Sequence, residues 1–463
     1  MKYLVLFLIT FPAMGAISPQ IVKESALKYH PSVLAALEEM HAEQEAIRGA
    51  RGAFDAKIVS DYKRQTKHDW NTTLHRTQFE KPLRLANSKV YAGLEQISNP
   101  NGRLAPIYNT GNPATTGQPG NYSLVGLQLS LWKNLLLDPD RAALKNAKYN
   151  AQIAKAEKKL TELNIGKLSQ LAYWEWVTAK KVHDAYEELL KNGETRNEYL
   201  ITRNKKGDIA QIVVTENEQY VASRKGALQT AKERLLRAEY ALSLFYRNEN
   251  GEPIIPTSSD TFEEYPSDLA ALLKRIDFNS NIDELIQKRP DMRNLAFNVE
   301  KTSIDLELAR QDLKPQVDVT TEYFKRSERH PDMPLDYLMV MAQVSIPLEF
   351  NLGKGNIASA KARQMVAQKQ MSLGQQTYKF EVMALARAIN LRLEQVTQSE
   401  IEFSKSKELV KSEAYKFKTG GGNLFLVNLR EEAQASAEAS FHEARLAFMD
   451  TLLTYQAMVS TGE

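Results

Sequence analysis

The chain has 463 residues, no cysteine, a formal net charge of +3 and 25% charged residues of both signs, with a mean hydropathy of −0.43. These values exclude a bundle of membrane-spanning helices, a disulfide scaffold, a cysteine-ligated metal centre, lipid attachment through an N-terminal cysteine and the basic stripe of a nucleic-acid binder. The length prior allows two or three domains.

Residues 1–16 read as a secretory signal. Lys2 is the positive start, Tyr3 to Ala13 form an apolar stretch too short to span a bilayer, and Ala13-Met14-Gly15-Ala16 permits cleavage after Gly15 or Ala16. A first structural unit, 17–246, begins with a helix carrying His30-Pro31 and continues into a strand at Lys57 to Arg64. Its second strand is marked by Val125, Leu127, Leu129 and Leu131 alternating with Gly126, Gln128 and Ser130. Between these strands, Gln65 to Asn121 reads as a loop whose later part is rich in Gly, Pro, Asn and Thr, with Leu83 to Ile97 able to extend the strands. Asp140 to Glu252 contains no proline and is interrupted at Lys206-Gly207-Asp208, which predicts one long helical hairpin. Its first helix, from Arg141 to Lys205, would be roughly 100 Å long at about 1.5 Å per residue. The returning helix carries Leu228, Ala231, Leu235, Ala238, Leu242 and Phe245 at coiled-coil spacing.

The segment 247–281 is a linker. Gly251, Pro253, Pro256 and Pro266 surround a short helical patch from Leu269 to Ile276.

The second unit, 282–463, repeats the first. At an offset of 215 positions Tyr122, Val125, Gln128 and Ser130 fall on Tyr337, Val340, Gln343 and Ser345, and Gly207-Asp208-Ile209 fall on Gly422-Asn423-Leu424. Arg289-Pro290 answers His30-Pro31, so the halves differ by one insertion between Tyr62 and Tyr122. The strands here are Gln316 to Lys325 and the run Val340, Ala342, Val344, Ile346. Leu348 to Glu463 is again free of proline and turns at Gly420-Gly421-Gly422. Seams at Tyr378, Val382, Leu385, Ile389, Leu393, Val396 and at Phe441, Ala444, Phe448, Leu452, Tyr455, Met458 predict a second long hairpin. Repeats of this length indicate a pseudo-symmetric assembly rather than a solenoid.

Each strand has about the ten residues that a tilted strand needs to cross a bilayer, although a half-buried strand in a soluble sheet alternates in the same way. The number of strands distinguishes the two. Four strands with an apolar face, open edges and no lid require neighbours, and several chains closing one sheet would supply them.

This order of elements, with the turns Lys206-Gly207-Asp208-Ile209-Ala210 and Gly421-Gly422-Asn423-Leu424-Phe425, resembles the TolC-like outer-membrane efflux proteins over essentially the whole mature chain. The resemblance implies a mixed fold of helices and β-barrel, with an internal tandem repeat. Three chains would give four strands each to a twelve-stranded transmembrane barrel, continued by a long periplasmic α-helical barrel of coiled-coil hairpins, and 247–281 would form the equatorial belt. It implies a homotrimeric exit duct, not an enzyme, set in outer-membrane lipid and serving a tripartite efflux or type I secretion system. An inner-membrane transporter would deliver substrate through a periplasmic adaptor docked on Lys206, Gly207, Asp208, Ile209 and Gly421, Gly422, Asn423, Leu424. The glycines suit left-handed helix ends, and Asp208 and Asn423 suit caps for the next helix; as plain hairpin turns they need no partner.

The family's periplasmic constriction, which commonly carries two aspartates after the second turn, maps onto Asn428 and Glu431, with Val213 and Glu216 at the matching spacing in the first half. Three copies of Glu431, with or without Glu216, would form an acidic ring that favours cations. The loss of a carboxylate at Asn428 sets this chain apart from that pattern. No cofactor is expected, and no metal: His68 and His75 lack supporting acids, and Gly353-Lys354-Gly355 lacks the remainder of a phosphate loop. Trp174 and Trp176 read as core aromatics and Trp132 as an interfacial one. The alternative is a periplasmic structural or adaptor coiled-coil protein without a channel.

Overall fold

The computed structural model describes residues 16–67, 70–98, 119–257, 260–273, 281–327 and 336–460. The expected signal core, residues 68–69 with His68, the loop at 99–118, the patch at 274–280 and the turn at 328–335 lie outside the described residues. Two compact units are present. One comprises Glu157–Asp291 and Gln375–Glu463 with the N-terminal stretch up to Glu38; the other comprises Glu39–Ala156 and Met292–Gly374. Each draws on both halves of the chain.

The elements follow in order: α1 (Pro19–Tyr29), α2 (Pro31–Arg51), β1 (Lys57–Lys67), β2 (Trp70–Pro82), β3 (Lys89–Ser98), β4 (Gly120–Ser130), α3 (Pro139–Lys205) and α4 (Gln211–Ser243). After these come α5 (Leu269–Leu273), α6 (Ile282–Lys288), α7 (Pro290–Gln311), β5 (Gln316–Arg326), β6 (Asp336–Ser345), α8 (Asn351–Lys418) and α9 (Leu424–Val459). The two hairpins are as long as the absence of proline predicts, α3 and α8 having 67 and 68 residues. Gly353-Lys354-Gly355 lie in the first turns of α8, Gly353 close against Asp312 and Leu313.

The second unit holds the sheet, and here the sequence reading is corrected. Among the described residues six strands, not four, form one antiparallel meander in the order β1 to β6. The extra pair, β2 and β3, comes from the inserted segment, β3 over the stretch read as able to extend the strands and β2 over a part read as loop, and is fully paired on both sides, from Lys57 opposite Glu80 through Tyr91 opposite Gly126. The strand signal of β2 was hidden because its two faces carry Thr72, Leu74, Arg76, Gln78, Glu80 and Thr73, His75, Thr77, Phe79, Lys81, so neither face reads as apolar. Its Arg76 is satisfied by Glu322, far along the chain, and its Glu80 by Lys57 and Lys89 on the two neighbouring strands.

Registering the strands sorts the side chains into two faces. One face presents Ile58, Phe79, Val125, Tyr323 and Leu338 in a row across the sheet, and these are exposed, with Leu338 and Val340 at 63% and 62%. The opposite face is concave and buried at its centre, where Leu74, Tyr91, Ile97, Tyr122, Leu124 and Phe324 form one cluster. Glycine permits the curl: a Cβ on Gly126 would meet the Tyr91 ring at 2.3 Å, and one on Gly93 would meet the Thr77 carbonyl oxygen at 2.3 Å. Beside the sheet, α7 packs on the start of α3 through Ile304 and Leu308 against Leu137, Ala142 and Tyr149.

In the first unit Trp174 stacks on Tyr265 with ring centroids 4.5 Å apart, and Trp176 meets Phe262 edge-on at 5.6 Å. The Tyr173 hydroxyl donates to the carbonyls of Ile17 and Glu263 at 3.0 and 2.7 Å. These contacts fasten the linker and the N-terminal strand residue to α3. Both tryptophans are therefore core residues, as their type and spacing suggested.

Candidate functional site

The two helical turns singled out in the sequence come together. Leu200, Val214 and Leu424 form a buried cluster, with Ile201, Ile209, Val213 and Phe417 packed against it. Residues from both hairpins thus build one hydrophobic seat. In the first turn Gly207 takes a left-handed φ of +79°, the Asp208 amide donates back to the Arg203 carbonyl at 3.0 Å and the Gly207 amide to Asn204 at 2.9 Å, which closes the last turn of α3. Asp208 does not cap α4. The N-cap is Ala210, which has no side-chain acceptor, because two residues separate Asp208 from the helix start; its carboxylate lies 3.7 Å from Arg203 instead.

In the second turn Gly420 has φ +83°, and Asn423 caps α9 as expected, its Oδ1 accepting from the Phe425 amide at 2.9 Å. Gly422 sits where a Cβ would meet the Phe417 amide at 2.5 Å, so that position requires glycine by close approach. Lys206, Gly207, Asp208, Gly421 and Asn423 are exposed, while Ile209 and Gly422 are half-buried and Leu424 is buried. Around them Ile212, Phe425, Leu426 and Leu429 also face solvent.

The four residues mapped to a constriction divide into two kinds. Val213 belongs to the apolar cluster and Glu216 is half-buried on α4. Asn428 and Glu431, one turn apart on α9, are drawn into a polar knot with α3 and α4. Arg196 Nη1 donates to Asn428 Oδ1 at 2.6 Å and to Glu431 Oε2 at 3.0 Å, and Arg196 Nη2 also binds Glu431 Oε1. Arg224 Nη2 donates to Asn428 Oδ1 at 3.1 Å, and its Nη1 lies 3.0 Å from Glu431 Oε2.

The Arg224 side chain is 1% exposed. Its Nη1 also donates to the Leu189 carbonyl at 3.1 Å, and Gly193 leaves the room it occupies, since a Cβ there would meet Nη1 at 2.9 Å. Burial pulls the Arg224 guanidinium below the ordinary arginine value, while Glu431 pushes it back up. In this conformation the Glu431 carboxylate is shared by two guanidinium groups of its own chain and offers no free negative charge to a ring.

Arg196 and Arg224 were missed by the sequence reading. A signal for Arg224 existed: the α4 seam continues backward from Leu228 through Arg224, Val221, Asn217 and Val214 at alternating spacing, placing a cation and an amide at core positions. Asn217 answers with its own partner, donating to Asn197 Oδ1 at 3.0 Å. Among the described residues one His/Asp/Glu group could ligate a metal, His183, Asp184 and Glu187 on a solvent-facing turn of α3; His75 instead bonds Ser60 on the neighbouring strand at 3.0 Å.

No protein-family model matches the chain, and no curated protein matches it in sequence. Its fold is that of the outer-membrane channels. It superposes on the CmeC outer membrane channel of Campylobacter jejuni with a TM-score of 0.68 and 13% identity, over 96% of this chain and 86% of that one. The outer membrane protein VceC of Vibrio cholerae gives 0.67 and 16%, over 96% and 97%. The open-state MtrE outer membrane channel of Neisseria gonorrhoeae gives 0.65 and 16%, over 96% and 89%.

Proposed function

We propose that this chain is one subunit of an outer-membrane exit duct serving a tripartite efflux or type I secretion system. The observation that carries the reading is the row of exposed apolar residues, Ile58, Phe79, Val125, Tyr323 and Leu338, that crosses a six-stranded meander whose two outer edges are unpaired among the described residues. No described helix is long and apolar enough to cross a membrane, so the sheet is the described part suited to lipid. In hydrocarbon an open edge leaves backbone groups without partners, and closure among copies removes it. β1 and β6 run in opposite directions, so β6 of one copy can pair antiparallel with β1 of the next. Three copies would then close a wall of eighteen strands, six from each, in place of the twelve expected from the sequence.

The helical hairpins would continue the duct into the periplasm. The turns at Lys206–Ile209 and Gly421–Leu424, with Phe425 and Leu426 exposed beside them, would receive a periplasmic adaptor, and an inner-membrane transporter would supply the substrate. The Arg196–Glu431–Arg224 knot would hold the tip in its narrow state, with Glu431 becoming an acidic lining group on release. The neighbours in fold are channels rather than catalysts, and duct function needs no cofactor. The test is reconstitution of purified protein in planar bilayers. Stepwise conductance supports the reading, and Arg224→Ala should raise it; a protein that gives no steps with either sequence contradicts it.

A further inference from the structure

The inserted hairpin β2–β3 does more than lengthen the sheet. Arg76 on β2 and Glu322 on β5 are three strands apart, about 14 Å across the strands at the usual spacing, and four residues out of register, yet Arg76 Nη2 donates to Glu322 Oε1 at 2.6 Å. The Tyr91 hydroxyl donates to the same oxygen at 2.6 Å, and Glu95 lies 3.7 Å from Arg76 Nε. The side chains of Arg76, Glu95 and Glu322 are 2%, 0% and 0% exposed. Three of the four members, Arg76, Tyr91 and Glu95, are contributed by the hairpin.

They seal the concave face over Phe324, Leu124 and Tyr122, and the Arg76 guanidinium stands 5.9 and 6.0 Å from the Tyr91 and Phe324 rings. The curl that allows this is built in at Gly93 and Gly126, where any side chain would collide. The seal ends part-way along β6, whose Tyr337 and Met339 pack against the cluster: on the same face Gln343 remains exposed, while Thr320 of β5 is 4% exposed.

We propose that the β2–β3 hairpin is an internal plug of the wall, closing the concave, lumen-side face of each subunit's sheet through the Arg76–Glu95–Glu322–Tyr91 cluster and forming a constriction separate from the helical tip. The proposal rests on the duct reading, which makes the concave face the lumen side. The cluster suits such a plug, because one buried guanidinium bonded to Glu322 and set beside Glu95 holds the hairpin across the sheet.

The absence of native cysteine allows a direct test. Thr320→Cys and Gln343→Cys are each introduced into the full chain, and open outer-membrane fragments are treated with a charged maleimide that reaches both mouths. Gln343→Cys should label readily and Thr320→Cys at least tenfold more slowly. Replacing Arg76, Glu95 and Glu322 together by serine strands no buried charge and should bring Thr320→Cys to within about twofold of Gln343→Cys. Retention of the unheated oligomer band checks assembly, and the exchange Arg76→Glu with Glu322→Arg, made together with Glu95→Gln so that no two carboxylates face each other, serves as a second variant, which should keep Thr320→Cys protected. Equal labelling of both cysteines in the otherwise native chain overturns the plug, as does protection of Thr320→Cys that persists in the triple serine variant. Failure of Gln343→Cys to label in every background overturns the duct reading instead.

Discussion

At the scale of single residues, Arg224 separates what is legible in the sequence from what is not. Asn423 as a helix cap and Gly207 as a left-handed turn residue follow from local rules, and both stand as read. Arg224 follows from no local rule, because its partners Asn428 and Glu431 lie more than two hundred positions away and on another helix. Stripping this 1%-exposed cation from the network leaves Glu431 with Arg196 alone and a cavity where the guanidinium sat beside Gly193, so Arg224→Ala should lower folding stability by about 3 kcal/mol, measurable as a fall in the thermal midpoint of the detergent-solubilised protein. Arg224→Lys should recover little, since a single ammonium cannot donate to Leu189, Asn428 and Glu431 together.

His442 gives a prediction in pH. Burial first, then the charges of Arg445 and Lys181, push its imidazole from the ordinary 6.5 down to about 4, with Glu264 and Glu443 opposing. Between those values the unfolded chain binds the proton and the folded chain does not, so stability falls as pH drops from 6.5 towards 4, by about 3 kcal/mol at most. His442→Gln should remove that part of the acid dependence in thermal melts at pH 7 and pH 4.5. A wild-type acid loss left intact in the variant would assign it to other groups.

At the scale of elements, β4, β5 and β6 were legible in the sequence through one apolar face each, and β1 as the upstream partner of the first half's strand pair. β2 stayed hidden because Arg76, Gln78 and Glu80 line its buried face, and charged residues signal a buried strand only when their partners are known. The long helices were legible because absence of proline and seam spacing are properties of the segment itself. Gly126 and Tyr91 supply the element-level prediction. Gly126→Ala places a methyl group within the Tyr91 ring and should destabilise the sheet, whereas in a Tyr91→Ala background the same change should cost at least about 1 kcal/mol less. The readout is the temperature at which the unheated oligomer dissociates. Equal costs in both backgrounds would place the crowding elsewhere.

At the scale of the whole molecule, the repeat at an offset of 215 positions predicts two strand-and-hairpin units, and the element order places strands before a long helical hairpin in each half. What the repeat concealed lies where the copies differ. The insertion between Tyr62 and Tyr122 contributes two full strands, its later part at 99–118 lying outside the described residues, and the paired positions Val213 and Asn428 became an apolar contact in one half and an arginine clamp in the other. Each departure depends on contacts between residues remote in sequence, which periodicity does not encode.

The central claim is that copies of this chain close their sheets into one wall in the outer membrane. It is tested most directly by extracting the protein from outer-membrane fractions and comparing its electrophoretic size before and after heating. The account predicts a three-chain species that collapses on heating to a single chain near 52.4 kDa, less any signal removed. A protein recovered in the soluble fraction, running as one chain with or without heating, would contradict it.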